Sequence, residues 1–267
     1  MSGLGLRSIV RPLSRPLVRS SGGGGVFTLA SLFTGGVPGY ILDGRQQFNQ
    51  SSGGAVAGNS DPIGFILDGS GNGNNPEQLT SGNKPVNVVT NGINAIQFAT
   101  QKFLGLSLPA EIPPATDACS VYVLHFNFQY VWQLAIPLLT HVPFYDYLLV
   151  GGGVEWRTNN TQSATIAGVF PIGILTTRII IVNTYYLTGT HHCDIEVCDM
   201  AGATTASTSG APSGEPTFKD IIIGDNLGTS PPATAEMAFE MLIGKRITGA
   251  DLTNVKSDLV TGFGGWK

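Results

Sequence analysis

The sequence predicts an all-β sandwich carried behind an extended arm, and three observations predict it. The 267 residues include 36 glycines and 16 prolines, near a fifth of the chain, too many helix breakers for a bundle or coiled coil. Apolar runs are short, recur at close spacing and are separated by Gly, Asn and Pro, the punctuation of strands and turns. Only one segment, close to the C-terminus, has both the caps and the apolar stripe of a helix. Charged residues make up 12% of the chain, about half the ~25% of an ordinary soluble domain. Charge-driven disorder is therefore excluded, and the length suffices to bury a core.

Residues 1–25 form the arm. Arg7, Arg11, Arg15 and Arg19 stand four apart with no acidic residue among them. Pro12 and Pro16 push the preceding arginines into extended geometry, so the segment reads as a strap and not a helix. Glycines 22–25 make a flexible joint, and the body spans 26–267. It holds all eighteen acidic side chains but only ten of the fourteen basic ones. That imbalance lacks the basic surplus of a nucleic-acid binder. It predicts an arm that docks on a partner and a body with a different task. Arginines ahead of the apolar stretch 26–33 imitate a signal peptide, but the four glycines and Thr28 and Ser31 argue against a cleaved signal.

Strands are expected in the body at 40–42, 63–67, 86–89, 95–98, 121–134, 145–150, 165–169, 178–187, 191–197, 218–223 and 236–243. Residues 118–145 lack Asp, Glu, Lys and Arg and are long enough to cross a bilayer. Their period of two, with Leu124, Phe126, Phe128, Tyr130, Trp132 and Leu134 against His125, Asn127, Gln129 and Gln133, predicts a half-buried strand instead, with no membrane insertion. Residues 178–187 are apolar on both faces, as in a central strand. In 236–243, Met237, Phe239, Met241 and Ile243 oppose Glu236 and Glu240, which predicts one wet face. Residues 201–217 read as a long surface loop of Ser, Thr, Gly and Pro. The helix starts at Thr248 with Asp251 three residues on, carries Leu252, Val255 and Leu259, and is expected to stop at Gly262. Cys119, Cys193 and Cys198 are odd in number in a chain too large to need staples, so buried free thiols and folding in a reducing compartment are expected.

Several segments in order carry a family resemblance: 39–43 (GYILD), 61–74 (DPIGFILDGSGNGN), 91–98 (NGINAIQF) with 103–106 (FLGL), and 235–243 (AEMAFEMLI) leading to 247–252 (ITGADL) and 264–267 (GGWK). Together, over about residues 30–267, they resemble the concanavalin A-like, laminin-G-like jelly-roll domains of tailed-bacteriophage structural proteins. The resemblance implies a two-sheet jelly roll with a short C-terminal helix, of a kind used for adhesion to glycans or for protein contacts. It does not cover the arm.

The chemistry is sparse. His192, Asp194 and Glu196 share one strand face and resemble the alternating carboxylates of jelly-roll glucanases, but a histidine stands where that motif opens with an acid. Glycoside hydrolysis needs two carboxylates flanking the bond, so the diminished pair Asp194 and Glu196 reads first as a polar strand face, and no enzyme is expected. No Cys-x-x-Cys or His-x-x-x-His spacing supports zinc. Asp68, Ser70, Asn72 and Asn74 offer alternate oxygens, yet only Asp68 is a carboxylate. An Asn-Gly turn is the preferred reading. Asp68 and Asn72 are the only metal candidates to name, and no cofactor is expected. The best glycan patch is Trp156 with Arg157, Asn159 and Asn160, a ring beside hydrogen-bond donors. The plainer reading makes Trp156 a strand residue covering the core.

The resemblance and the arm together lead to one expectation: a virion protein, assembled in the host cytoplasm, that acts as a tail-fibre or adhesin component. It is anchored to other virion proteins by Arg7, Arg11, Arg15 and Arg19 and presents a lectin-like domain to a host-surface glycan. A homo-oligomer is expected, a trimer being one form of it. The alternatives are a capsid or tail decoration protein and, in third place, a glycan hydrolase.

Overall fold

A computed structural model describes residues 27–97, 99, 101–112, 116–126, 132–135, 144–149, 153–158, 161–166, 177–188, 190–211, 218–224 and 235–266. The arm arginines Arg7, Arg11, Arg15 and Arg19 lie outside the described residues, as do the joint and the signal-like stretch up to residue 26.

The described strands run in order β1 (Gly39–Asp43), β2 (Phe48–Asn49), β3 (Phe65–Ile66), β4 (Val86–Thr90), β5 (Ile93–Gln97), β6 (Phe103–Ile112), β7 (Ala118–Phe126), β8 (Trp132–Ala135) and β9 (Phe144–Leu149). They continue with β10 (Gly153–Thr158), β11 (Thr161–Ile166), β12 (Thr177–Thr188), β13 (Thr190–Cys198), β14 (Thr204–Gly210), β15 (Phe218–Gly224) and β16 (Ala235–Ile243). A 3-10 turn, Leu29–Phe33, precedes them and one helix, α1 (Gly249–Phe263), follows. No described helix is long and apolar enough to cross a membrane.

The large sheet has the order β14-β13-β12-β7-β16-β5-β4, and β1 also pairs with β16. Strand β16 therefore meets β7 on one side and, on the other, β5 at Glu236 and Met237 and β1 from Phe239 to Ile243. The facing layer is built from β2–β3, β6–β15 and β8 to β11, with Glu77 bridging Phe65 to Gly105 and β8 lying beside β15. Between the layers sits one core, to which β6 and β15 contribute Leu104, Leu108, Ile221 and Ile223, and the large sheet Tyr40, Tyr122, Leu124, Ile195 and Met237. A second core lies on the outer face of the large sheet, where Leu29, Leu32, Phe33, Val255, Leu259, Phe263 and Trp266 cover Ile41, Val121, Val123, Ile180, Val182, Phe239 and Met241. The result is a two-sheet jelly-roll sandwich with a helix on its back.

That helix layer corrects two expectations. Residues 118–125 are not half-wet: every one is buried, because the odd positions Cys119, Val121 and Val123 face the helix-side core. Nor is 121–134 one strand. Its first part is β7 of the large sheet and its last part is β8 of the facing layer, while 127–131 lie outside the described residues. Strand β16 likewise has no wet face. The register shifts between Met237 and Phe239, and this bulge sends Met237 into the inner core and Phe239, Met241 and Ile243 into the outer one. Glu240 is consequently buried among inner-core residues, where its carboxylate accepts a hydrogen bond from the Tyr40 hydroxyl at 2.5 Å.

Two further corrections are local. Within the expected loop 201–217, residues 204–210 form β14, an edge strand paired with β13. Its Thr and Ser side chains alternate exposed and half-buried, so backbone pairing and not an apolar face defines it. The helix does not stop at Gly262 but runs to Phe263, with Gly264 as its cap. A side chain at Gly262 would meet Arg45, since an added Cβ would lie 2.5 Å from Nη1. Arg45 in turn grips Asp43 at 2.6 Å and Asp258 at 2.8 Å, tying the end of β1 to the helix, and lies 5.1 Å from the centre of the Phe263 ring.

Other expectations hold. Strand β12 is central, pairing with β7 and β13. Asn91 and Gly92, with φ of 52° and 79°, close the β4–β5 hairpin as the two left-handed residues of its tight turn. All three cysteines are free and buried, with Cys193 in the inner core and Cys198 in the outer one.

Candidate functional site

Strand β13 alternates as its sequence predicts. Cys193, Ile195 and Val197 enter the inner core, while His192, Asp194 and Glu196 lie half-buried on the helix side of the large sheet. The antiparallel register sets Tyr186 of β12 opposite His192, and the two rings stack with centroids 5.2 Å apart and planes 16° from parallel. After β16 the chain turns toward the start of α1 and brings Arg246 over the same tyrosine. The guanidinium carbon stands 3.6 Å from the ring centre, the geometry of a cation–π contact. Burial and the Asp194 carboxylate raise the Tyr186 pKa above the ordinary phenol value, against the opposing effect of Arg246. Nε2 of His192 is 3.1 Å from Oγ1 of Thr190 at the hairpin tip.

Farther along the strand, Glu196 takes a different partner. Lys256 of α1 donates to its Oε1 at 2.5 Å, and the Thr204 hydroxyl of β14 donates to the same oxygen. Burial alone would raise the Glu196 pKa, but the Lys256 and Thr204 hydrogen bonds outweigh it and hold the carboxyl below its usual range. A glycosidase acid needs the reverse, a carboxyl whose pKa is raised. The three residues singled out from the sequence thus divide: His192 and Asp194 join an aromatic and cationic cluster, and Glu196 is a structural ion pair.

Asp68 has its own structural task. Its Oδ1 accepts from the backbone N–H groups of Ile41 and Ser70 at 2.9 and 2.8 Å, and its Oδ2 accepts from the Ser70 hydroxyl and the Asn74 N–H at 2.7 and 3.0 Å. Asn72 donates to the carbonyls of Val37 and Gly39. The carboxylate therefore faces donors, where a cation site needs converging acceptors. No metal-ligating cluster occurs among the described residues. Trp156 and Arg157 are consecutive residues of β10, paired across the sheet with Asp146 and Tyr145 and, over a register shift, with Ala164 and Gln162. Asn159 and Asn160 lie outside the described residues.

Sequence reasoning missed Tyr186 and Arg246. The first was findable: Thr188 pairs with Thr190 across the two antiparallel strands, and counting back from that pair sets Tyr186 against His192. Arg246 had no such signal, because its place depends on how the chain leaves β16.

The fold is that of a two-sheet jelly-roll β-sandwich. No family model matches the chain, and no curated protein matches it. Among solved structures it is similar to the botulinum neurotoxin serotype D binding domain, at 11% identity and a TM-score of 0.57, over 83% of this chain and 51% of that one. It is similar also to a GH54 α-L-arabinofuranosidase, at 16% identity and a TM-score of 0.55, over 83% of this chain and 58% of the enzyme. A third is the botulinum neurotoxin serotype D ligand-binding domain in complex with N-acetylneuraminic acid, at 10% identity and a TM-score of 0.52, over 85% and 50%. The chain spans about half the length of the structures it matches, and the likeness shows the fold.

Proposed function

We propose that this chain is the lectin-like domain of a tailed-phage virion protein, a tail-fibre or adhesin component that attaches to a host-surface glycan. The observation that carries the reading is the cluster of Tyr186, His192, Asp194 and Arg246, where rings, donors and an acceptor meet at the surface of a jelly roll. Sugar recognition uses that combination of apolar ring and oriented polar groups. The neighbour holding N-acetylneuraminic acid supports a glycan as the class of ligand. The arm arginines Arg7, Arg11, Arg15 and Arg19 anchor the domain to other virion proteins, and a homo-oligomer multiplies weak single contacts. No hydrolytic step enters the reading, since Glu196 is committed to Lys256.

A second reading, a capsid or tail decoration protein, is favoured by Leu79, 81% exposed, and by Leu67 and Val56, which are exposed with it. Apolar side chains so open suit a contact between subunits. One experiment separates the two: adsorption to host cells of particles lacking this protein, compared with complete particles. Lost adsorption by intact particles is the expected result. Unchanged adsorption by fragile particles would overturn the adhesin and leave decoration.

A further inference from the structure

We propose that the surface formed by Arg246, Tyr186, His192 and Thr190 is a subsite for a carboxylate-bearing sugar, such as a uronic or sialic acid residue of the glycan. The inference rests on the glycan-binding reading and names the chemistry of its site. Among the described residues the ion pairs of lysine and arginine join Arg45 to Asp43 and Asp258, and Lys256 to Glu196. None of them uses Arg246, which is exposed. Its guanidinium is nevertheless placed, because its central carbon stands 3.6 Å from the centre of the Tyr186 ring. An arginine already fixed in place offers a planar fork of donors that matches a carboxylate, with less side-chain freedom left to lose on binding.

The surrounding charges favour an anion. Glu196, the second carboxylate of the strand face, is neutralised by Lys256 at 2.5 Å. Asp194, on the same strand face as His192, has its Oδ1 buried from solvent. Around the arginine, the Thr190 hydroxyl and the His192 imidazole are placed to hydrogen-bond the hydroxyls of the same sugar ring.

The test is surface plasmon resonance of the full chain over three immobilised ligands: a glucuronide, the matching neutral glucoside, and a plain alkyl carboxylate. Charge-assisted hydrogen bonds to one carboxylate predict binding to the glucuronide about 10- to 100-fold tighter than to the glucoside. Arg246→Gln should remove that preference, so that glucuronide and glucoside bind alike, and Arg246→Lys should restore part of it. Arg246 is exposed, so circular dichroism should report the same fold for all three proteins. Equal binding of glucuronide and glucoside, insensitive to Arg246→Gln, overturns the acidic subsite and leaves the glycan reading standing. Capture by the alkyl carboxylate as strong as by the glucuronide overturns it too, as ion exchange. Binding to none of the three surfaces overturns the subsite, and failure of the same chain on a broad panel of glycans would remove the glycan reading as well.

Discussion

Replacing Asp68 by Asn tests whether this loop is a clamp on β1 or a cation site. The carboxylate accepts four hydrogen bonds, two on each oxygen. Asn retains one carbonyl oxygen and turns the other position into an NH2 group facing donors. The Ser70 hydroxyl can rotate to accept, but the Asn74 N–H is left opposite a donor in a buried place, at a cost of about 1–3 kcal/mol. The two bonds that survive lose their charge assistance, and the whole substitution comes to about 3 kcal/mol. For a chain of this size that lowers the melting temperature by about 6–12 °C. Calorimetry measures the midpoint. Hydrogen exchange should show the Asn74 amide losing protection first, since its N–H is the one left facing a donor. Calcium should leave the wild-type midpoint unmoved. A drop smaller than about 2 °C, or a calcium-dependent rise, would refute the clamp.

Two more outcomes follow from groups inside the fold. The Glu196 carboxyl is held low by Lys256 and Thr204, so its contribution is fully present above the unfolded-state pKa of about 4.3 and fades as the pH falls through the lower folded value. Lys256→Met should cost about 1–2 kcal/mol at pH 7 and flatten the acid limb of a stability-versus-pH curve; an unchanged limb would refute the pairing. Burial pushes the Cys119 thiol up to about 12, so a thiol reagent at pH 8 should label it only as fast as the protein unfolds, and prompt labelling of the native protein would contradict the core described above.

The sequence made the strands legible where a face is buried and the other residue types agree, as in β12 and β13. It failed where burial came from elsewhere in the chain. His125, Glu236 and Glu240 look like wet positions because they are polar; they are buried because the C-terminal helix and Trp266 cover one face and β6 with β15 the other. Strand β14 was hidden for the opposite reason, since its exposed Thr and Ser resemble a loop until β13 lies beside them. The site was half legible: alternation put His192, Asp194 and Glu196 together, whereas the partners that separate their roles, Arg246 and Lys256, come from segments 50 to 60 residues later.

The position of β16 also dictates an order of events during synthesis. Strand β16, the last strand among the described residues, is an inner strand of the large sheet, holding β7 on one edge and both β1 and β5 on the other. Until Ile243 has left the ribosome, the two halves of that sheet lack the strand that hydrogen-bonds to both, and each keeps a bare edge of amides and carbonyls. The nascent body is thus exposed to mispairing with its own copies until β16 emerges, and closure of the sandwich waits on contacts between residues about 200 positions apart, which makes folding slow.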